Sequence, residues 1–69
     1  MQRVCCFLAN DDSLVLDEKF HVVPRTGETI FIAGKRYGVI AVEHRFSVSS
    51  NKGVTIKEHV IYLSVKRLN

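Results

Sequence analysis

Apolar and polar residues alternate along most of this 69-residue chain. From Phe20 onward Val, Ile, Phe, Tyr and Thr dominate, and apolar residues do not recur at the three- and four-residue intervals of a helix. No segment is convincingly helical, and the one candidate is residues 13–19, after the turn-like Asn10-Asp11-Asp12. The chain is therefore predicted to be all-β, with strands at residues 2–9, 19–23, 29–33, 36–48 and 54–67.

A glycine turn sets the expected pairing of the third and fourth strands. Gly34 and Lys35 can form a two-residue hairpin loop with the glycine at positive φ, which places Ile32 opposite Tyr37. Both faces of this hairpin are apolar. One face can line a barrel interior, whereas the other needs cover from the N-terminal part of the chain or from a partner. The side chains expected on this outer face are Ile30, Ile32, Tyr37 and Val39.

A second turn closes a long C-terminal hairpin. Residues 51–53, Asn-Lys-Gly, suit a three-residue loop that ends in a left-handed glycine and places Val48 opposite Ile56. Lower in the hairpin the apolar positions change parity, so a one-residue bulge is expected near residues 57–60. The pairs expected below this bulge are Val42 with Leu63 and Ile40 with Val65. Strands of this length must bend or project from the domain.

Length and composition indicate one globular domain over residues 1–69. An apolar fraction of 46%, with one proline and four glycines, is typical of a folded chain. A chain of this size buries only about 60% of its unfolded surface, so its core is thin and self-association would help to stabilise it.

The N-terminal residues carry little sign of targeting. The apolar run at residues 4–9 is shorter than the core of a signal peptide and far shorter than a membrane span, so we expect a cytoplasmic protein with no membrane partner. Cys5 and Cys6 are adjacent and cannot form a multi-bridge framework. They are predicted to be reduced thiols.

Charge is distributed unevenly along the chain. Residues 1–34 carry three basic and five acidic side chains, whereas residues 35–69 carry seven basic and two acidic ones. The basic half allows weak, sequence-tolerant nucleic-acid binding, with Tyr37 as an additional stacking platform. The alternative is a solvated charged face, which the interspersed acidic residues favour. The candidate nucleic-acid contacts are Lys35, Arg36, Arg45, Lys52, Lys57, Tyr62, Lys66 and Arg67.

The dipeptides Glu43-His44 and Glu58-His59 are the candidate sites for metal or acid–base chemistry. A zinc site needs three or four converging ligands, yet neighbouring residues on a strand point to opposite faces. We therefore expect cross-strand polar pairs beside the bulge and no metal site. No nucleophile motif, phosphate loop or carboxylate dyad accompanies them, so we predict no catalytic residue, no cofactor and no enzymatic activity.

The stretch VPRTGETIFIAGKRYGVIAVEH, residues 23–44, resembles the turn-strand-turn-strand core of SH3-like small β-barrels, which include short proteins of phages and other mobile elements. The resemblance covers about a third of the chain and rests on Pro-x-x-Gly-Glu followed by Gly-Lys-x-Tyr. It implies an open, five-stranded, strongly bent antiparallel barrel and a binding role rather than an enzymatic one. It assigns no functional residue.

We therefore expect a five-stranded SH3-like barrel with a long C-terminal hairpin, acting as a non-enzymatic protein-interaction module. It is predicted to form a homodimer or larger assembly, or to dock onto a protein partner, through the outer face of the Gly34 hairpin. A weakly nucleic-acid-binding barrel is the alternative.

Overall fold

The curled sheet of this protein is built from five strands. The structure, a computed structural model, describes residues 1–68, with the side chains at 51, 54 and 56 outside the description. The strands are β1 (Gln2–Leu8), β2 (Leu14–Phe20), β3 (Thr29–Ile32), β4 (Lys35–Asn51) and β5 (Val54–Leu68). They form one sheet in the order β2-β1-β5-β4-β3, which curls into a half-barrel. The all-β, five-stranded prediction is confirmed.

The sheet is mixed, so the expectation of a purely antiparallel barrel is wrong. β1 is antiparallel to β2 but parallel to β5. Successive strands alternate in direction along the chain, so the first and fifth strands run the same way. When these two become neighbours, their pairing has to be parallel.

β2 lies where the sequence offered only a helix candidate. It covers Leu14–Phe20, and the strand predicted at 19–23 overlaps only its last two residues. The preceding turn forms as expected: the Asp11 carboxylate accepts hydrogen bonds from the Ser13 backbone N–H at 2.9 Å and from its hydroxyl at 2.7 Å. This turn reverses the chain so that β2 pairs with β1, and sheet pairing overrides the weak local pattern.

The first hairpin loop is formed by Ala33 and Gly34, not by Gly34 and Lys35. Ala33 has φ 51° and Gly34 has φ 80°, the two positive values of a type I′ turn, whose twist matches that of the flanking strands. Ile32 therefore pairs with Lys35, and the expected pairing of Ile32 with Tyr37 is wrong by two positions on β4.

The second hairpin also closes on a two-residue turn, Lys52-Gly53, with φ 51° and 80°. Val48 faces Lys57 rather than Ile56. The bulge lies at Ile40, where the register shifts between Val39 and Ala41, and not at residues 57–60. Of the two pairs predicted lower in the hairpin, Val42 with Leu63 is confirmed, whereas Val65 pairs with Val39 instead of Ile40.

The core occupies the inner face of the half-barrel. Its buried members are Val4, Cys6, Tyr37, Val39, Ile61, Leu63 and Val65. The connection from β2 to β3 is hydrogen-bonded to β4 next to the bulge. The backbone N–H of Val39 donates to the Glu28 carbonyl, and the Val39 carbonyl accepts from the Gly27 N–H, both at 2.9 Å. Val23 in this connection packs against the core and covers part of it.

β4 and β5 continue well beyond the other strands. β1 pairs with β5 only from Val60 to Val65, and β3 pairs with β4 only between Lys35 and Gly38. Residues 46–59 therefore form a two-stranded extension, which we call the projecting ribbon. The Cα positions span 51 × 25 × 19 Å, so the expected projection of the long hairpin is observed.

Candidate functional site

The four side chains predicted as an outer, partner-binding face belong to the core. Tyr37 and Val39 are only 8% and 4% exposed, and Ile30 and Ile32 are half-buried against the core cluster. The expectation that this face is exposed is wrong. The cause is the bulge at Ile40, because one extra residue lets Val39 and the core-contacting Val42 point to the same side of the sheet.

The exposed apolar group of the first hairpin is Phe31, on the opposite face. Its side chain is 70% exposed. It borders an open cleft of about 330 Å³. Three of the predicted nucleic-acid contacts, Lys35, Arg36 and Arg67, line this cleft together with Leu68.

The projecting ribbon carries two further exposed apolar side chains. Phe46 and Val48 are 64% and 62% exposed. Strand alternation places them on the same face as Val42, so an apolar stripe runs from the core onto the ribbon. We call this stripe, with its cross-strand neighbours, the ribbon face. Its members are His44, Phe46, Val48, Lys57 and His59.

Three rings lie together on the ribbon face. The His59 ring lies 4.3 Å from Phe46 at an interplanar angle of 11°, and 5.2 Å from His44 at 21°. His44 Nδ1 and His59 Nε2 are 3.0 Å apart and share a hydrogen bond in which one nitrogen donates and the other accepts. The side chain of Gln2 donates to the His59 carbonyl at 2.8 Å and fixes the backbone at this position.

The two Glu-His dipeptides divide between the faces as expected. Glu43 lies on the outer face opposite Tyr62, and Glu58 lies on the same face opposite Ser47. Both histidines lie on the ribbon face, where the register pairs His44 with Ile61 and makes it a diagonal neighbour of His59. The sequence pattern predicted cross-strand polar pairs here, but with a bulge at residues 57–60, so it did not identify this histidine contact.

Tyr62 is engaged within the chain. The Arg45 guanidinium lies 4.1 Å from the centre of the Tyr62 ring, and Phe7 is 5.2 Å away, centre to centre. Arg45 also forms an ion pair with Glu43 at 3.3 Å. Arg45 and Tyr62 therefore contact each other on the outer face. Of the remaining predicted contacts, Lys52 and Lys57 are exposed on the ribbon, and Lys66 is exposed near the end of β5.

The two cysteines are unbridged and poorly suited to act as thiolates. Burial raises the pKa of Cys5, and it raises the pKa of Cys6 to about 11, so both thiols stay protonated at neutral pH. Among residues 1–68, no three His, Cys, Asp or Glu side chains converge as a metal-binding group. No helix in this part of the chain is long and apolar enough to cross a membrane.

No protein-family model, curated protein or solved structure matches this chain. Its surfaces are therefore the basis for assigning a function.

Proposed function

We propose that the protein is a non-enzymatic interaction module that self-associates through the ribbon face. The observation that carries this proposal is the exposure of Phe46 and Val48, both above 60%, on an apolar stripe continuous with the core. Apolar patches that continue beyond a domain core are typical of binding surfaces.

Among residues 1–68, no third strand pairs with the ribbon. A two-stranded ribbon is at best marginally stable in water, and β1 and β3 end before the ribbon begins. A second copy presents the same stripe. In a two-fold dimer, Phe46 and Val48 of each chain are buried by one contact that both chains share.

The size of this patch indicates a weak dimer. Complete burial of a Phe or Val side chain contributes about 1.5–3 kcal/mol, and roughly two thirds of each side chain is available here. Four such side chains supply about 4–8 kcal/mol per dimer, against an association cost of about 4–15 kcal/mol. The most favourable balance of these terms is about −4 kcal/mol, which corresponds to a Kd of about 1 mM, so we expect concentration-dependent association in the millimolar range.

The resemblance of residues 23–44 to SH3-like small barrels supports a binding role over an enzymatic one. We further propose that the half-barrel is an open variant of the SH3-like barrel and that the extended second hairpin is its distinguishing feature. A cytoplasmic location and an origin in a phage or mobile element remain predictions from the sequence.

Sedimentation velocity over a wide concentration range tests the self-association. The wild type is expected to shift from monomer to dimer, and Phe46→Thr with Val48→Thr is expected to stay monomeric, because Thr keeps the strand preference and removes apolar area. Phe31→Thr is the matched control, since it removes an equally exposed aromatic ring outside the ribbon. Monomeric wild type at about 1 mM, or loss of association in the Phe31 variant alone, contradicts the proposal.

A second candidate function is weak nucleic-acid binding at the Phe31 cleft. The favouring observation is that Lys35, Arg36 and Arg67 surround an exposed aromatic ring. The cations can bind phosphates, and a base can stack on the ring.

Binding at this cleft is expected to be sequence-tolerant and salt-sensitive. Arg36→Gln with Arg67→Gln should weaken binding of a labelled single-stranded oligonucleotide by about tenfold at low salt, measured by fluorescence anisotropy. Lys19→Gln on β2 serves as the control for loss of charge alone. Equal weakening by the control variant, or sequence-selective binding that resists salt, contradicts this candidate.

A further inference from the structure

We propose that His44 and His59 together bind one divalent transition-metal ion, of the class that includes Zn²⁺, Ni²⁺ and Cu²⁺. The site lies at the base of the projecting ribbon and uses His44 Nδ1 and His59 Nε2. The two histidines belong to the ribbon face, but one chain supplies both protein ligands, so metal binding does not require self-association.

The distance between the two nitrogens fits a shared ion. Imidazole nitrogens bind zinc at about 2.0–2.1 Å. Two such nitrogens on one ion are separated by about 2.9 Å for a right-angled geometry and about 3.4 Å for a tetrahedral one. The observed 3.0 Å lies between these values, so both geometries require only small movements of the rings.

Metal binding replaces the hydrogen bond between the rings. Without metal, one facing nitrogen carries the proton and the other accepts it. With metal, both neutral rings carry their proton on the remote nitrogen, so the two facing lone pairs are directed at the ion. The exchange needs a change of tautomer in one ring and a small rotation of both rings.

The surroundings hold the two rings in place. Phe46 stacks on His59 at 4.3 Å, and the hydrogen bond from Gln2 fixes the His59 backbone. Pairing of β4 with β5 sets the spacing of the two histidines. Ligands held in position before binding lose less conformational freedom when the ion arrives.

The ligand chemistry selects the class of ion. Glu43 and Glu58 lie on the outer face, so the site offers two neutral imidazoles and no carboxylate from these dipeptides. Imidazole suits Zn²⁺, Cu²⁺ and Ni²⁺, whereas Mg²⁺ and Ca²⁺ prefer oxygen. Water fills the remaining positions, for which an open cleft of 470 Å³ beside His44 leaves room.

The charged neighbours limit the strength of the site. Arg25 lines the cleft beside His44, and Lys57 shares the ribbon face. These cations oppose a bound metal ion, and two protein ligands are fewer than a structural zinc site has. We therefore expect an exchangeable ion whose removal by a chelator leaves the protein folded.

Isothermal titration of the tag-free full chain with NiCl₂ and with ZnCl₂ tests the site at neutral pH, at protein concentrations where the chain is monomeric. One ion per chain is expected to bind. His44→Ala and His59→Ala should each weaken binding at least about tenfold, and His21→Ala, which removes the third histidine of the sequence, should leave it unchanged.

His44→Gln and His59→Gln provide a second pair of variants if either alanine variant loses its fold. Nitrogen-detected NMR of the histidine rings adds a structural readout: zinc should shift His44 Nδ1 and His59 Nε2 and leave the His21 nitrogens in place. Three results would overturn the proposal: no binding by the wild type, unchanged affinity in all three variants, or an equal loss of affinity in the His21 variant. These results do not depend on dimer formation, so they separate this site from the proposed function.

Discussion

Side chains on the outer face join the two N-terminal strands. Arg3 donates to both carboxylate oxygens of Asp17, from Nε at 3.0 Å and from Nη2 at 2.8 Å. This hydrogen bonding lowers the pKa of Asp17 below its usual range. The partners are solvent-exposed, so the pair positions β2 on β1 more than it stabilises the fold.

The Arg3–Asp17 pair predicts a pH dependence with a definite sign. Because the pKa of Asp17 is lower in the folded than in the unfolded state, its stabilising effect is present above the unfolded pKa of about 3.9 and is lost as the pH falls through the folded pKa. Asp17→Asn should therefore have a lower melting temperature than wild type at pH 7, and the difference should vanish near pH 2.

Thermal melts followed by circular dichroism measure this difference. Glu18→Gln is the control, because it removes a neighbouring carboxylate outside the ion pair. A difference between wild type and Asp17→Asn that persists unchanged at pH 2 shows that the substitution acts through something other than ionisation.

At the scale of elements, apolar alternation located four strands but not β2. Leu14–Phe20 contains three successive charged residues, Asp17-Glu18-Lys19, which obscure the period of two. The strand forms because its neighbour β1 offers an edge and because Leu16 packs against the core. That stabilisation comes from a distant part of the chain, so no local pattern reports it.

Turn geometry limited the prediction of register. A glycine in a short loop fits either the first or the second central position of the turn, and the two choices differ by one residue. In the second hairpin a two-residue turn replaces the expected three-residue loop, and the resulting one-residue change of register removes the need for a bulge at residues 57–60. In the first hairpin the register moves by two positions, which keeps the same side chains on each face, so the error about the core came from the unpredicted bulge at Ile40.

Ala33 tests the first turn directly. Its φ of 51° is unfavourable for Ala and well tolerated by Asn, so Ala33→Asn should raise the free energy of unfolding by about 0.5–1 kcal/mol. Gly34→Ala should lower it by about 1 kcal/mol. A Cβ at Gly34 meets nothing within 4 Å, so that cost is conformational rather than steric.

Urea unfolding of both variants measures these changes, with Lys35→Gly as the control. If Lys35→Gly stabilises the protein and Ala33→Asn does not, the loop is Gly34-Lys35 as first expected from the sequence.

At the scale of the whole molecule, the two candidate surfaces lie at opposite ends of β4. The basic cleft beside Phe31 is at its beginning, and the ribbon face extends towards its end. The half-barrel between them has a thin core of seven side chains, which holds the strands but leaves the ribbon uncovered. This separation means that a change at one surface should leave the other intact.

Self-association through the ribbon face is the central claim, and intermolecular NOE measurement tests it most directly. In a mixed sample of isotope-labelled and unlabelled chains, only contacts between copies give filtered NOEs. We expect these NOEs between the Phe46 ring and the Val48 methyl groups of different chains, at a concentration where the protein sediments as a dimer. Intermolecular NOEs confined to Phe31 and Ile40, or a dimer without any at Phe46 and Val48, would contradict the claim.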